Sequence, residues 1–174
     1  VLAGAEPHLV PLRPEHDFLI PLTGLDREVE ARTRMLVLNY PNNPTTAEPP
    51  PAYLESAVHF CRQRDVALVH DHAYSELAFD GYRPPSILEF DGARDVAIEF
   101  HSLSKTYNMT GWRIGWAVGN RDLIAALSRV KTFVDTGVFL AVQAAGVAAL
   151  RSWPEWVPGN VEVRRKIGDA RLFA

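Results

Sequence analysis

The sequence predicts an α/β domain in three layers, with helices on both faces of a mainly parallel sheet. Two observations carry this expectation. Short apolar runs alternate along the chain with segments whose apolar residues recur at helical spacing, the pattern of strands joined by crossover helices. Each of the first three runs also stops at a polar cluster, and ligands of such sheets bind beyond the carboxyl ends of the strands.

After a polar, Pro-rich start, Arg34–Tyr40 reads as a buried strand through Met35, Leu36, Val37 and Leu38, and it stops at Pro41. Leu54, Ala57, Val58 and Cys61 recur at i, i+3, i+4 and i+7, the stripe of an amphipathic helix. Val66–His70, Asp95–Phe100 and Ile114–Val118 are the next apolar runs. Leu123, Leu127, Val130 and Val134 mark a second helix, and Val138–Leu150, rich in alanine, a third. Pro41, Pro44 and Pro49–Pro51 punctuate a loop rather than a linker. The chain shows no internal repeat and no low-complexity tract.

Composition narrows the function. With 174 residues, 47% of them hydrophobic and 22% charged, the chain can bury a core as one domain or as a large piece of something bigger. Its 18 Lys and Arg against 21 Asp and Glu give a net charge of −3, which offers no footprint for nucleic acid or an anionic membrane. No stretch approaches the roughly 20 unbroken apolar residues of a transmembrane helix. The single Cys61 excludes an intramolecular disulfide and fits a reducing compartment, hence the cytoplasm. Val1–Ala5 shows no basic segment leading into an apolar run, so no signal peptide is visible, and the valine at position 1 suggests that a beginning is absent.

The three polar clusters carry the chemistry. Ser102-Leu103-Ser104-Lys105 ends the third run, with Arg113 eight residues after the lysine. A lysine at the end of a buried strand is partly desolvated, loses its charge more easily and can act as a nucleophile. Two hydroxyls and a guanidinium beside it make a phosphate cradle. Considered alone, the same residues also read as a solvated loop with turn-forming serines. Asp71 follows the second run, where a carboxylate at the sheet rim needs a cationic or hydrogen-bonding partner such as a protonated ring nitrogen, and Tyr74 would present its phenol to the same cavity. The alternative makes Asp71 a helix cap and Tyr74 core packing. Asn42-Asn43-Pro44-Thr45 is either an ordinary β-turn or a turn whose Asn–Pro bond is cis and aims Asn43 into a cleft. His70, His72 and His101 lack a metal-binding spacing and read as rim or core histidines. Arg164–Lys166 reads as the solvated face of a helix, and Trp112, Tyr107 and Tyr82 as core packing or as neighbours of a bound group or of a partner subunit.

Asn-Pro-Thr, then Asp-x-Ala-Tyr, then Ser-x-Ser-Lys with an arginine eight residues on, in this order, resembles the class I/II aminotransferases of pyridoxal-phosphate fold type I. The wording of Asn39–Thr45 and Phe100–Arg113 is similar to the branch containing LL-diaminopimelate aminotransferases and their aspartate and alanine relatives. The resemblance runs from Ala3-Gly4-Ala5, at the start of a strand, to about Val163.

The resemblance implies pyridoxal 5′-phosphate as cofactor. Lys105 would form the internal aldimine and shuttle a proton, and Asp71 would pair with the pyridinium nitrogen. Tyr74 and Asn43 would hydrogen-bond the ring 3-oxygen; Ser102, Ser104 and Arg113 would hold the phosphate. It also implies transfer of an amino group between an amino acid and a 2-oxo acid, no nucleic-acid or membrane partner, and a homodimer in the full-length form. A lyase or decarboxylase of the same fold, or a non-catalytic or regulator-type cofactor-binding domain, shares these residues. Two departures stand out. Thr46 occupies the position where the family has glycine. The chain also lacks the upstream phosphate loop, the ring-stacking aromatic and the downstream small domain with its substrate-carboxylate arginine. Residues 1–160 are expected to be the central part of the cofactor-binding large domain, and 161–174 the start of a segment leading toward the small domain. Arg164–Asp169 is expected to diverge from a continuing helix.

Overall fold

The computed structural model describes residues 4–24 and 27–172. Its helices are α1 (Arg27–Arg32), α2 (Pro51–Arg64), α3 (Ala93–Val96), α4 (Leu103–Thr106), α5 (Arg121–Val134), α6 (Leu140–Arg151) and α7 (Trp153–Leu172). The strands are β1 (Met35–Asn39), β2 (Ala67–Asp71), β3 (Ala97–Ser102) and β4 (Gly115–Gly119). They form one sheet in the order β1-β2-β3-β4, with β1, β2 and β3 parallel and β4 antiparallel to β3. The mainly parallel sheet expected from the alternation of runs and stripes is thus present. The strand expected at Ala3-Gly4-Ala5 is not: Gly4 and Ala5 lie outside any strand, and Ala3 falls outside the described residues.

Helix α2 builds the core. Pro51 opens it, where a missing N–H costs nothing, and it ends at Asp65 in the left-handed region (φ 54°) with the Asp65 N–H on the Cys61 carbonyl. Leu54, Ala57, Val58 and Cys61, the stripe seen in the sequence, are all buried in one cluster with Leu38 and Leu68 of the sheet. Each fully buried aliphatic side chain of this kind contributes roughly 1.5–3 kcal/mol.

Strand β1 corrects one expectation. Leu38 is buried, but Met35 and Val37, which alternate onto the other face, are 57% and 56% exposed. It is an edge strand covered on one side only among the described residues. The C-terminal region corrects another. Helix α7 runs unbroken through Arg164–Asp169, with Pro158 inside it, so this segment does not diverge from a helix. No helix among the described residues is long and apolar enough to cross a membrane.

Register sets up the functional rim. Asn39 lies opposite Asp71, and Asp71 opposite Phe100, so the carboxyl ends of three parallel strands come level along one edge. Adjacent strands are about 4.8 Å apart, which brings the loops that follow them within side-chain reach.

Candidate active site

The loop after β1 is tied by its own asparagines. Asn39 Oδ1 accepts the Asn43 N–H (3.0 Å), and Asn39 Nδ2 donates to the Asp71 carbonyl (3.0 Å). One side chain therefore clamps the Asn43 loop to the end of β2. Asn42 Oδ1 accepts the Thr45 hydroxyl at 2.7 Å, closing the turn. The Asn43–Pro44 bond is cis, as is Tyr40–Pro41. The Thr46 N–H bonds the Asn42 carbonyl at 2.8 Å, a closure one residue wider than a β-turn. Asn43 Nδ2 reaches across to donate to the Tyr74 hydroxyl at 3.1 Å. Thr46, the residue that replaces the family glycine, keeps a glycine-like backbone at φ 60°.

The segment after β2 holds no helix start. Residues 73–76 form a turn in which the Ser75 and Leu77 N–H groups bond the His72 and Tyr74 carbonyls. Asp71 is therefore not a helix cap. Its side chain is exposed at the rim, and Tyr74 is half-buried beside it.

The segment after β3 turns sharply into α4. Ser102 Oγ accepts the Ser104 N–H (3.1 Å) and keeps its own proton to donate, whereas Ser104 is largely buried. Lys105 Nζ lies 5.8 Å from the centre of the Tyr74 ring. The Thr110 hydroxyl donates to the Ser104 carbonyl (3.1 Å), and the Thr110 carbonyl accepts Arg113 Nη1 (2.9 Å), which links the arginine to the serine turn. Arg113 adopts φ 53°, a strained backbone for a residue with a side chain and of the kind concentrated at functional sites.

Asn43, Tyr74 and Lys105 are thus brought into one chain of contacts, with Asp71 level with them on the rim. Among the described residues Asp71, Lys105 and Arg113 have no ion-pair partner; Asp71 and Arg113 are exposed and Lys105 is half-buried.

Sequence reasoning missed several contributors. Asn39 is one; its place at a strand end just before Tyr-Pro is the only signal that marks it. Arg164 is another and corrects the solvated-face expectation: its Nη2 donates to the Lys105 carbonyl (3.1 Å) and to Asn108 Oδ1 (2.6 Å). Asn160 Nδ2 likewise reaches the Thr106 carbonyl at 3.3 Å. Trp112 and Tyr82 are 49% and 42% exposed and are not core residues, while the Tyr107 hydroxyl is buried without a hydrogen-bond partner among the described residues.

A mainly parallel sheet with an acid, a tyrosine and a lysine just beyond its strand ends is one that known proteins share. The model of the family "Aminotransferase class I and II" matches residues 1–170, and the chain belongs to that family. Among its relatives is LL-diaminopimelate aminotransferase 2 of Trichormus variabilis, 56% identical over 86% of this chain and 38% of that protein. The LL-diaminopimelate aminotransferase of Desulforudis audaxviator is 49% identical over 97% of this chain and 43% of its own length. Substrate-bound BacF from Bacillus subtilis superposes with a TM-score of 0.89 at 36% identity, covering 95% of this chain and 42% of that one. A probable N-succinyldiaminopimelate aminotransferase from Thermus thermophilus gives 0.87 at 37% identity, covering 95% of this chain and 44% of that one. The chain spans about two fifths of the length of the curated relatives it matches.

Proposed function

We propose that the chain is the cofactor-binding core of a pyridoxal-phosphate-dependent aminotransferase that moves an amino group between an amino acid and a 2-oxo acid. One observation carries this reading: Lys105 lies over the Tyr74 ring, and the Tyr74 hydroxyl is held by Asn43, at the rim where Asp71 ends β2.

The donor set fits the cofactor group by group. An aldehyde needs a primary amine, and Lys105 Nζ is the amine on this rim. A basic ring nitrogen needs a carboxylate, and Asp71 has no cation among the described residues to compete for it. The phenolic oxygen needs donors. Tyr74 accepts from Asn43 and so retains its own hydroxyl proton to give. The phosphate needs a guanidinium and hydroxyls, supplied by Arg113, Ser102 and the deeper Ser104.

When bound, the cofactor supplies an electron sink for the substrate's α-carbon. The protein's residues do the rest. Asp71 would hold a proton at the ring nitrogen and keep the ring electron-poor. Lys105 would hold the aldehyde end and is the base placed to move a proton at the substrate's α-carbon. Tyr74 and Asn43 would orient the ring through its 3-oxygen, and Arg113 would fix the phosphate end.

For the whole protein, the names of the curated relatives point to an amino acid of the LL-diaminopimelate type as donor, and the family resemblance to a homodimer. The single free cysteine, which is buried, fits a cytoplasmic setting. The test is a visible absorption spectrum with added pyridoxal phosphate, beside Lys105→Ala. A band in the parent alone, fixed as a mass increase on Lys105 by borohydride, is expected. No band and no labelled lysine would remove the reading.

A further inference from the structure

Behind the rim, on the opposite face of β2 and β3, lies a buried polar cluster that the proposed chemistry does not use. Glu99 is 1% exposed, yet its carboxylate collects four donors. Oε2 accepts His70 Nδ1 (3.0 Å) and the Ile87 N–H (2.7 Å); Oε1 accepts the Ser86 hydroxyl (2.9 Å) and His101 Nε2 (2.8 Å). The register explains the meeting, because His70 and Glu99 are direct partners across β2 and β3.

His70 is fully buried, and its other ring nitrogen, Nε2, points at the Tyr40 carbonyl (3.1 Å). The ring is therefore held at both ends, by the Glu99 carboxylate and by the Tyr40 carbonyl. His72 Nδ1 gives the Tyr40 carbonyl a second donor at 2.9 Å.

Tyr40 directly precedes Pro41-Asn42-Asn43. Its carbonyl is the last anchored acceptor before the loop that carries Asn43 to Tyr74. Asn39 holds the same loop from the other side. We propose that Glu99 and His70 are positioning residues: the buried pair fixes the Tyr40 carbonyl and through it holds Asn43 against the Tyr74 hydroxyl. The inference rests on the reading of Asn43 and Tyr74 as cofactor-facing groups, but the placement it describes exists without cofactor.

Nitrogen-15 NMR of the Asn43 side-chain amide, on cofactor-free protein, tests it. In the parent, the Asn43 amide is expected to exchange slowly with solvent. In Glu99→Gln, with the fold retained by circular dichroism, the Asn43 amide exchanges faster. Affinity for pyridoxal phosphate then falls about tenfold, the size of one lost hydrogen bond. Unchanged amide exchange in a folded Glu99→Gln protein overturns the proposal. His70→Asn, which removes the donor to the Tyr40 carbonyl, is the second variant, and unchanged Asn43 amide exchange there overturns the proposal as well should Glu99→Gln not fold. A parent that binds no cofactor, combined with a loosened Asn43 in the variant, removes the proposed function while leaving the positioning intact.

Discussion

Asn43 donates its side-chain amide to the hydroxyl of Tyr74 at 3.1 Å, a bond between loops that follow two different strands. The direction of that bond matters. Tyr74 is left with a proton to donate outward, so each of the two residues can offer a hydrogen to the same acceptor. Tyr74→Phe removes both the acceptor for Asn43 and the outward donor. Its dissociation constant for pyridoxal phosphate, read by fluorescence titration, is expected to rise roughly tenfold, the effect of about 1–1.5 kcal/mol.

Arg113 is held in place by the Thr110 carbonyl and has no carboxylate partner among the described residues. Its charge is available to a dianion. Arg113→Ala is expected to weaken cofactor binding by about 2–5 kcal/mol, the range for truncating one side of a hydrogen-bonded charge pair. Asp71→Ala should behave differently, slowing amino-group transfer far more than it loosens the cofactor. An unchanged dissociation constant in the first variant would contradict a phosphate-binding Arg113, and unchanged turnover in the second a ring-nitrogen partner at Asp71.

Thr46 sits at φ 60°, a region that costs a residue with a Cβ roughly 1–2 kcal/mol and a β-branched one the most. Glycine occupies it without that cost. Thr46→Gly is therefore expected to stabilise the fold by about 1 kcal/mol in urea unfolding, less what the freer unfolded chain takes back.

Acid should release the Glu99 cluster. Burial alone would raise this carboxyl, but hydrogen bonds from His101 and His70, with His72 close by, hold it well below its ordinary value of 4.5. A carboxyl lowered in the folded state contributes stability at pH above that ordinary value and loses it as pH falls below it. Glu99→Gln is expected to cost about 3 kcal/mol near pH 7, within the range for breaking a buried pair. The difference from the parent should shrink in acid. Urea midpoints measured from pH 7 down to pH 3 check this, and parallel curves for the two proteins would contradict it.

Cys61 should be silent in the native protein. Desolvation pushes its thiol up to about 12, and the side chain is buried in the α2 stripe. A thiol reagent at pH 8 is expected to label it only at the rate of unfolding.

The parts of the candidate site that local order can encode were legible in the sequence. Apolar runs that stop at polar clusters located the ends of β1, β2 and β3, and Asn43, Asp71, Tyr74, Ser102, Lys105 and Arg113 stand in or just past those clusters. The α2 stripe was legible because four residues at helical spacing share one face. What escaped was set by strand register. Nothing local ties His70 to Glu99, 29 residues away, until β2 and β3 pair. Asn39 and Arg164 were missed for the same reason, since each bonds backbone that is remote along the chain. Met35 and Val37 look buried by hydrophobicity alone, but among the described residues only the face of β1 that carries Leu38 is covered.

The grip of Arg164 on the Lys105 carbonyl sets an order for biosynthesis. Chains emerge from the ribosome amino end first, and the strands of the sheet can pair as soon as β4 is out. The turn that carries the lysine still waits for α7, in which the arginine lies 59 residues downstream of that carbonyl. A nascent chain stalled anywhere between β4 and α7 would thus display a paired sheet beneath an unfinished lysine turn.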